Sequence, residues 1–390
     1  MKLTEISHSE TDPATEPTAK AAPVAVTRVP ESRLGADTSA HQLALTELRR
    51  LLSAWRRHEP LARLGQEPEE LHQLRVTVRR IDATLALFKH QLPEALVRAR
   101  KTAKGVLRAL GAARDVDVQL AELSRYCADL PDEERAAAEP LRRQLEALGA
   151  RAHTRVVRLL DSAPTRRWLE DLTVGTEAAA AVAPATHSAL AVMPARVRQR
   201  FRKLRKTVRR LPANASMEEF HDVRRRAKQL RYAIESGAGM FGKPAEDLLK
   251  ALRRMQERLG AHQDAHMARS RLATLAADAA NALPPATLFL MGRLAERQSN
   301  LISQADKTLS RSWRRVRGKR WKTLRTRLGE LSDRAAATRR VRSPASRAVV
   351  ALTAGPAAVQ LPTPGSPVAE TSVGPGPERA GEPAPRALKH

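Results

Sequence analysis

The chain has 390 residues and a mass of 42.9 kDa, and its 69 Lys and Arg against 42 Asp and Glu leave a formal charge of +27. Charge that far from neutral favours polyanions or acidic membranes as partners, and 42% hydrophobic residues exclude a chain disordered throughout. One cysteine (Cys127), no apolar stretch in Met1–His8 and no uncharged apolar run long enough for a spanning helix predict a soluble cytoplasmic protein without disulfides or a Cys-cluster zinc site.

In chain order, residues 1–40 come first as a tail. They and residues 335–390 hold 13 of the 25 prolines and mix Pro, Ala, Thr, Ser and Gly without periodicity, which predicts disorder at both ends. The tails carry only +2 of the charge, so +25 belongs to residues 41–334. That core is rich in Ala, Leu, Arg and Glu and poor in aromatic residues, a composition that favours helices. Leu45, Leu48, Leu52 and Trp55 repeat at helical spacing, as do Leu71, Leu74, Val78, Ile81, Leu85 and Phe88. The periodicity and the prolines predict helices near 41–58, 69–91, 94–110, 115–129 and 132–161, then 195–210, 216–237, 244–259, 264–281 and 285–328. The last is expected to break near Gly318. An Ala-rich stretch near 173–193 divides the ten into five and five.

Two motifs recur at one offset. His72-x-x-Arg75-x-x-x-Arg79 returns as His221-x-x-Arg224-x-x-x-Lys228, and Leu110-Gly111-Ala112-x-x-Asp115 as Leu259-Gly260-Ala261-x-x-Asp264, both 149 residues on. A shared offset without a gap implies an internal duplication, with halves of about 41–172 and 194–330. The expected fold is all-α: two pseudo-symmetric antiparallel helical bundles. At about 100° per residue, His72, Arg75 and Arg79 share one helix face, and Leu74, Val78, Ile81 and Leu85 take the other. His221, Arg224, Lys228 and Arg231 are arranged likewise against Val223, Leu230 and Ile234. A cationic stripe of this kind is either an anion-binding surface or a solvated face, and its duplication favours the first.

At these residues the sequence resembles the CHAD family, the conserved histidine α-helical domain. LHQLRVTVRR at 71–80 and FHDVRRRAKQLRY at 220–232 are similar to its signature helices, and LGAARDVDV at 110–118 and LGAHQDAHM at 259–267 to the segments that follow them. The likeness spans roughly 41–330. It implies an all-helical fold with a basic cleft that binds inorganic polyphosphate, sometimes on cytoplasmic granules, without an established catalytic activity. His72, Arg75, Arg79 and Arg80 match the first signature, and His221, Arg224, Lys228 and Arg231 the second, with Arg225 beside them. Asp82 departs from it, standing where a basic residue is usual. Some relatives carry a triphosphate-tunnel enzyme domain in front, for which 40 residues leave no room.

Arginine forks and lysine point charges suit phosphate oxygens. Neutral histidines can donate hydrogen bonds and gain charge below about pH 6.5, which predicts tighter binding at pH 6 than at pH 8. Two further runs hold nine basic residues each, Arg196 to Arg210 and Arg311 to Arg327. In the first, Arg198, Arg202, Lys203 and Arg205 either extend the anion surface or are solvated flanks. Tyr232 either stacks under an arginine or packs at a helix junction. Gly111 and Gly260 read as helix C′ residues and Asp115 and Asp264 as N-caps of following helices; alternatively the two carboxylates orient the motif arginines. His262 and His266 have zinc-compatible spacing, but no third ligand accompanies them, so they read as a surface pair and no metal or cofactor is expected. No phosphate-loop, nucleophile-elbow or HExxH motif occurs. The expected function is non-enzymatic polyphosphate binding. Sequence-independent nucleic-acid binding is the first alternative, weakened by the shortage of aromatic residues, and a polyphosphate-metabolising enzyme is the second. The tails are candidate contacts for granule proteins.

Overall fold

The computed structural model describes residues 38–181, 187–212, 215–278 and 283–341. Apart from residues 38–40 and 335–341, the segments read as disordered tails lie outside them. Among the described residues the elements are all helices: α1 (Ala40–Leu64), α2 (Pro68–Leu87), α3 (Glu94–Arg98), α4 (Arg100–Ala128), α5 (Asp132–Ala137), α6 (Glu139–Asp161) and α7 (Ala163–Ala181). They continue as α8 (Ala189–Arg209), α9 (Met217–Ser236), α10 (Ala238–Phe241), α11 (Lys243–Ala277), α12 (Pro285–Arg317) and α13 (Lys319–Val341). No helix among them is long and apolar enough to cross a membrane.

Local chemistry sets several ends. Ser39 and Gln42 cap α1 reciprocally, at 3.1 and 3.0 Å, and Ser216 and Glu219 do the same for α9. Each such cap is worth about 1 kcal/mol. Helix α1 stops at Gly65, whose φ of +68° favours glycine, and a Cβ there would come within 2.6 Å of the His153 ring. The 149-residue displacement recurs in the boundaries: α1 and α8 start, α2 and α9 start and end, and α4 and α11 end that far apart. The caps of α1 and α8 also meet. Ala40 N donates to His187 O at 3.0 Å and Ala189 N to Thr38 O at 2.9 Å, forming a two-residue bridge between Ser39 and Ser188.

The main core lies along α1, α2 and α4 of the first half and α8, α9 and α11 of the second. Leu74, Val78, Ile81 and Leu85 are fully buried on α2, as are Val223, Ala227, Leu230 and Ile234 on α9. Each large side chain so placed contributes roughly 1.5–3 kcal/mol. Phe201 of α8 stacks on Trp321 of α13 at 3.6 Å, and Trp55 of α1 meets Trp168 of α7 edge-on at 5.5 Å. A smaller cluster, including Leu123, Cys127, Leu141 and Leu294, joins the C-terminal part of α4 to α6 and α12.

Several sequence expectations change. The segments 94–110 and 115–129 do not meet at a helix end, because α4 runs unbroken through Gly111; α11 likewise runs through Gly260. Helix α7 occupies much of the stretch read as a divider, burying Thr165, Trp168, Leu172, Thr176 and Ala179 along one face. Helix α8 starts six residues before the position expected after Pro194, since Ser188 caps it through Leu190 N at 3.2 Å. The break expected at Gly318 is present, and α13 runs to Val341, past residue 334.

Candidate anion-binding groove

The apolar faces of α2 and α9 point into the core, so their polar faces are left to define what lies between them. The two helices pack side by side, and their facing flanks form one wall-to-wall groove of about 390 Å³. Eight Lys and Arg line it: Arg75 and Arg79 from α2, Arg100 and Lys104 from α4, Arg200 from α8, and Arg224, Arg225 and Lys228 from α9. His221 joins them. The one carboxylate in the lining, Asp82, already pairs with Arg100 at 2.9 Å.

Crowding and burial shape these charges. Lys228 is pushed down to about 5, first by burial and then by Arg79, Arg224, Arg75 and Arg231 around it. Arg75 is lowered to about 10 and Arg224 is lowered too, again by burial first, with Asp115 and Asp264 pulling the other way; both guanidiniums stay charged at neutral pH. Burial pushes the Asp115 carboxyl up against the pull of Arg75, Arg271 and Arg224. Asp264, partly open to solvent, faces Arg224, Asp115 and Lys228. The two carboxylates thus sit mid-helix among the motif arginines. The N-cap reading of Asp115 and Asp264 is corrected, and the reading in which they steady the arginines fits their positions.

The glycines are corrected with them. A Cβ on Gly111 would touch Nε and Nη2 of Arg75 at 3.5 Å, and one on Gly260 would touch Nη2 of Arg224 at 3.4 Å. Each glycine is a shallow seat in a continuous helix, across which the arginine of the neighbouring motif helix lies. Arg224 is held further by Gln263 of α11, at 3.0 Å.

The candidate residues do not all reach the groove. His72 is half-buried outside its lining, and its imidazole is lowered to about 4 by burial, then by Arg114, Arg79 and Arg75. His221 is exposed and lowered as well, by burial and Arg224. His72 therefore stays neutral between pH 8 and pH 6 in the free protein, which removes it from the reason given for tighter binding at pH 6, and the cations around His221 work against its protonation. Arg80 and Arg231 form a separate clamp: Arg80 Nη2 donates to Glu235 Oε2 at 2.8 Å, and Arg231 and Arg253 lie 3.8 and 3.6 Å from Glu235 Oε1. Tyr232 answers both expectations, buried at the α2–α9 contact with Arg80 and Arg231 5.8 and 5.0 Å from its ring.

On α8 the apolar positions Met193, Val197, Phe201 and Leu204 place Arg200 and Lys203 on one flank and Arg198 and Arg205 on the other. Arg200 reaches Gln229 in the groove at 3.2 Å, and exposed Lys203 lies near Arg200, Arg226 and Lys89. Arg198 is instead tied to α13, donating to Leu328 O and Ser332 Oγ at 3.2 and 2.8 Å; Arg202 and Arg205 face solvent. Sequence reasoning missed Arg100, Lys104, Arg200 and Glu235, though the α8 apolar stripe could have singled out Arg200. His262 is buried against Phe220 at 4.2 Å rather than on the surface.

The chain belongs to the CHAD family: the CHAD domain pattern matches residues 46–273. It is similar to the crystal structure of the CHAD domain from the plant Ricinus communis, with 27% identity over 74% of this chain and 98% of that one, and a TM-score of 0.58. It also resembles PptA from Streptomyces chartreusis in fold, with 21% identity, 71% and 100% coverage and a TM-score of 0.56. No curated protein matches the sequence.

Proposed function

We propose that this protein binds inorganic polyphosphate in the α2–α9 groove and acts as a binder rather than an enzyme. The observation that carries this reading is the convergence of eight Lys and Arg from four helices on one groove whose single carboxylate is already paired. A flexible chain of phosphates, charged along its whole length, matches such a lining. It exchanges the mutual repulsion of buried cations for charge-assisted hydrogen bonds. The groove's one tyrosine, Tyr232, lies beneath arginines, which leaves the small His221 imidazole as the one exposed ring in the lining, so the groove is a poor platform for stacked bases and polyphosphate is favoured over single-stranded nucleic acid. Attachment to polyphosphate granules follows from the same reading.

A salt titration of polyphosphate binding tests it. Arg79→Ala/Arg224→Ala should weaken binding at least tenfold and reduce the slope of log affinity against log salt by about 1.4. Unchanged affinity and slope in that variant would place the site elsewhere. Duplex DNA that outcompetes polyphosphate at equal charge would favour nucleic acid. Phosphate release or chain shortening on incubation with magnesium would make the protein an enzyme.

A further inference from the structure

A second concave basic surface lies on the other side of α11. It is a groove of about 620 Å³ between α11 and the α12–α13 break, lined by Lys250, Arg254 and Arg258 from α11 and by Arg315, Lys319 and Arg320 from the opposite wall. Asp247 is the one carboxylate in the lining, and its ion-pair partner is Lys243, at 4.0 Å. Among the described residues, none of the six cations has a carboxylate within ion-pair distance. Arg258 is positioned by a 2.6 Å hydrogen bond to Ser312 Oγ, and that hydroxyl is in turn held by Thr308 O.

Helical geometry separates this groove from the first. Asp247, Lys250, Ala251, Arg254 and Arg258 fall within an arc of about 100° on α11, whereas Gln263, which lines the α2–α9 groove, falls on the opposite side. The cations also come from two walls that face each other. A convex basic face spreads its charge into solvent, but a cleft lined by one sign concentrates the potential and gathers counter-ions. No aromatic side chain lines the cleft, since Trp321 is spent on its stack with Phe201.

We propose that this cleft is a second binding site for inorganic polyphosphate, distinct from the α2–α9 groove. The identity of the polymer rests on the function proposed above; the existence of the second site does not. Its six Lys and Arg are separate from the eight of the first groove, so one protein should hold two short chains, or two stretches of a long one.

The test uses the full chain, short polyphosphate of defined length, and titration calorimetry to count chains bound. Wild type should bind two. Arg254→Ala/Arg315→Ala/Arg320→Ala, three exposed side chains outside the core, should bind one. For long polymer the same variant should lower the slope of log affinity against log salt by about two. An equal charge loss in neither groove, Arg56→Ala/Arg57→Ala/Arg151→Ala, should leave two chains bound. Two chains bound by the first triple variant would overturn the proposal, as would a slope no lower than that of the control. So would loss of duplex DNA binding alone, which would make the cleft a nucleic-acid site. Arg79→Ala/Lys228→Ala separates the two readings. If wild type binds one chain that only the cleft variant removes, the cleft stands and the α2–α9 reading falls; if only the groove variant removes it, the reverse holds.

Discussion

Helices α2 and α9 present the same pattern in different surroundings. In α2 the histidine, His72, is half-buried, with Arg114 beside it; in α9 its counterpart His221 is exposed on the groove. Arg79 corresponds to Lys228. An arginine keeps its proton, while the lysine amine gives its proton up, at about 5. Asp82 corresponds to Arg231, and Glu235, the centre of the clamp, corresponds to Ala86. A repeated motif therefore does not yield two equivalent half-sites. At this one position the first motif helix supplies an arginine, and the second a lysine whose charge a bound polyanion would restore.

The sharpest way to break this comparison is through pH. Above about pH 5 the free protein holds Lys228 neutral, among Arg75 and Arg79 of α2, Arg224 and Arg231 of α9, and Asp264 of α11. A polyanion beside it raises its pKa, so binding takes up a proton and affinity falls as pH rises from 6 to 8, by at most about tenfold per pH unit. Lys228→Arg should flatten this profile, and His72→Ala, outside the groove lining, should not; fluorescence titrations at several pH values read both. In the free protein the unfolded chain binds the proton that the folded one lacks, so this group favours folding more as pH rises from about 5 towards 10.

Removing what only the second copy has should cost nearly as much. Glu235→Gln leaves Arg80 and Arg231 without their buried carboxylate, and unfolding in urea should show a loss of about 3 kcal/mol. Making the copies more alike should have a smaller effect. Asp82→Arg removes the partner of Arg100 and adds a cation to the groove, so polyphosphate should bind a few-fold more tightly while stability falls by about 1 kcal/mol. The smallest change is at the glycine seats. Gly111→Ala meets Arg75 at ordinary contact distance, and it should raise stability by up to about 1 kcal/mol in thermal unfolding through helix propensity alone. Gly111→Leu should instead displace Arg75 and weaken binding.

Apolar spacing made the helices and their cationic faces legible, because a core-facing stripe at Leu74, Val78, Ile81 and Leu85 leaves only one side for Arg75 and Arg79. The glycines were misread for a physical reason. A glycine that ends a helix and one that makes room inside it look alike along the chain, and what distinguishes Gly111 is Arg75, 36 residues away in sequence and against it in space. Periodicity could not reveal Glu235 as the hub of three arginines, since two of them come from other helices. It also could not show that Lys228 would lose its charge, which depends first on its burial and then on the cations folded around it.

The bridge between Ser39 and Ser188 bears on how the molecule assembles itself. The backbone groups that finish the start of α1 belong to residues made 149 positions later, and closing a loop of that length costs about 4 kcal/mol of chain entropy. Contacts so distant slow folding. A chain emerging from the ribosome can wind its first motif helix early, but it gains that closure only after His187 and Ala189 have followed. That closure waits for the second half, and a chain arrested before His187 would carry the first motif without the bridge that ties the start of α1 to the start of α8.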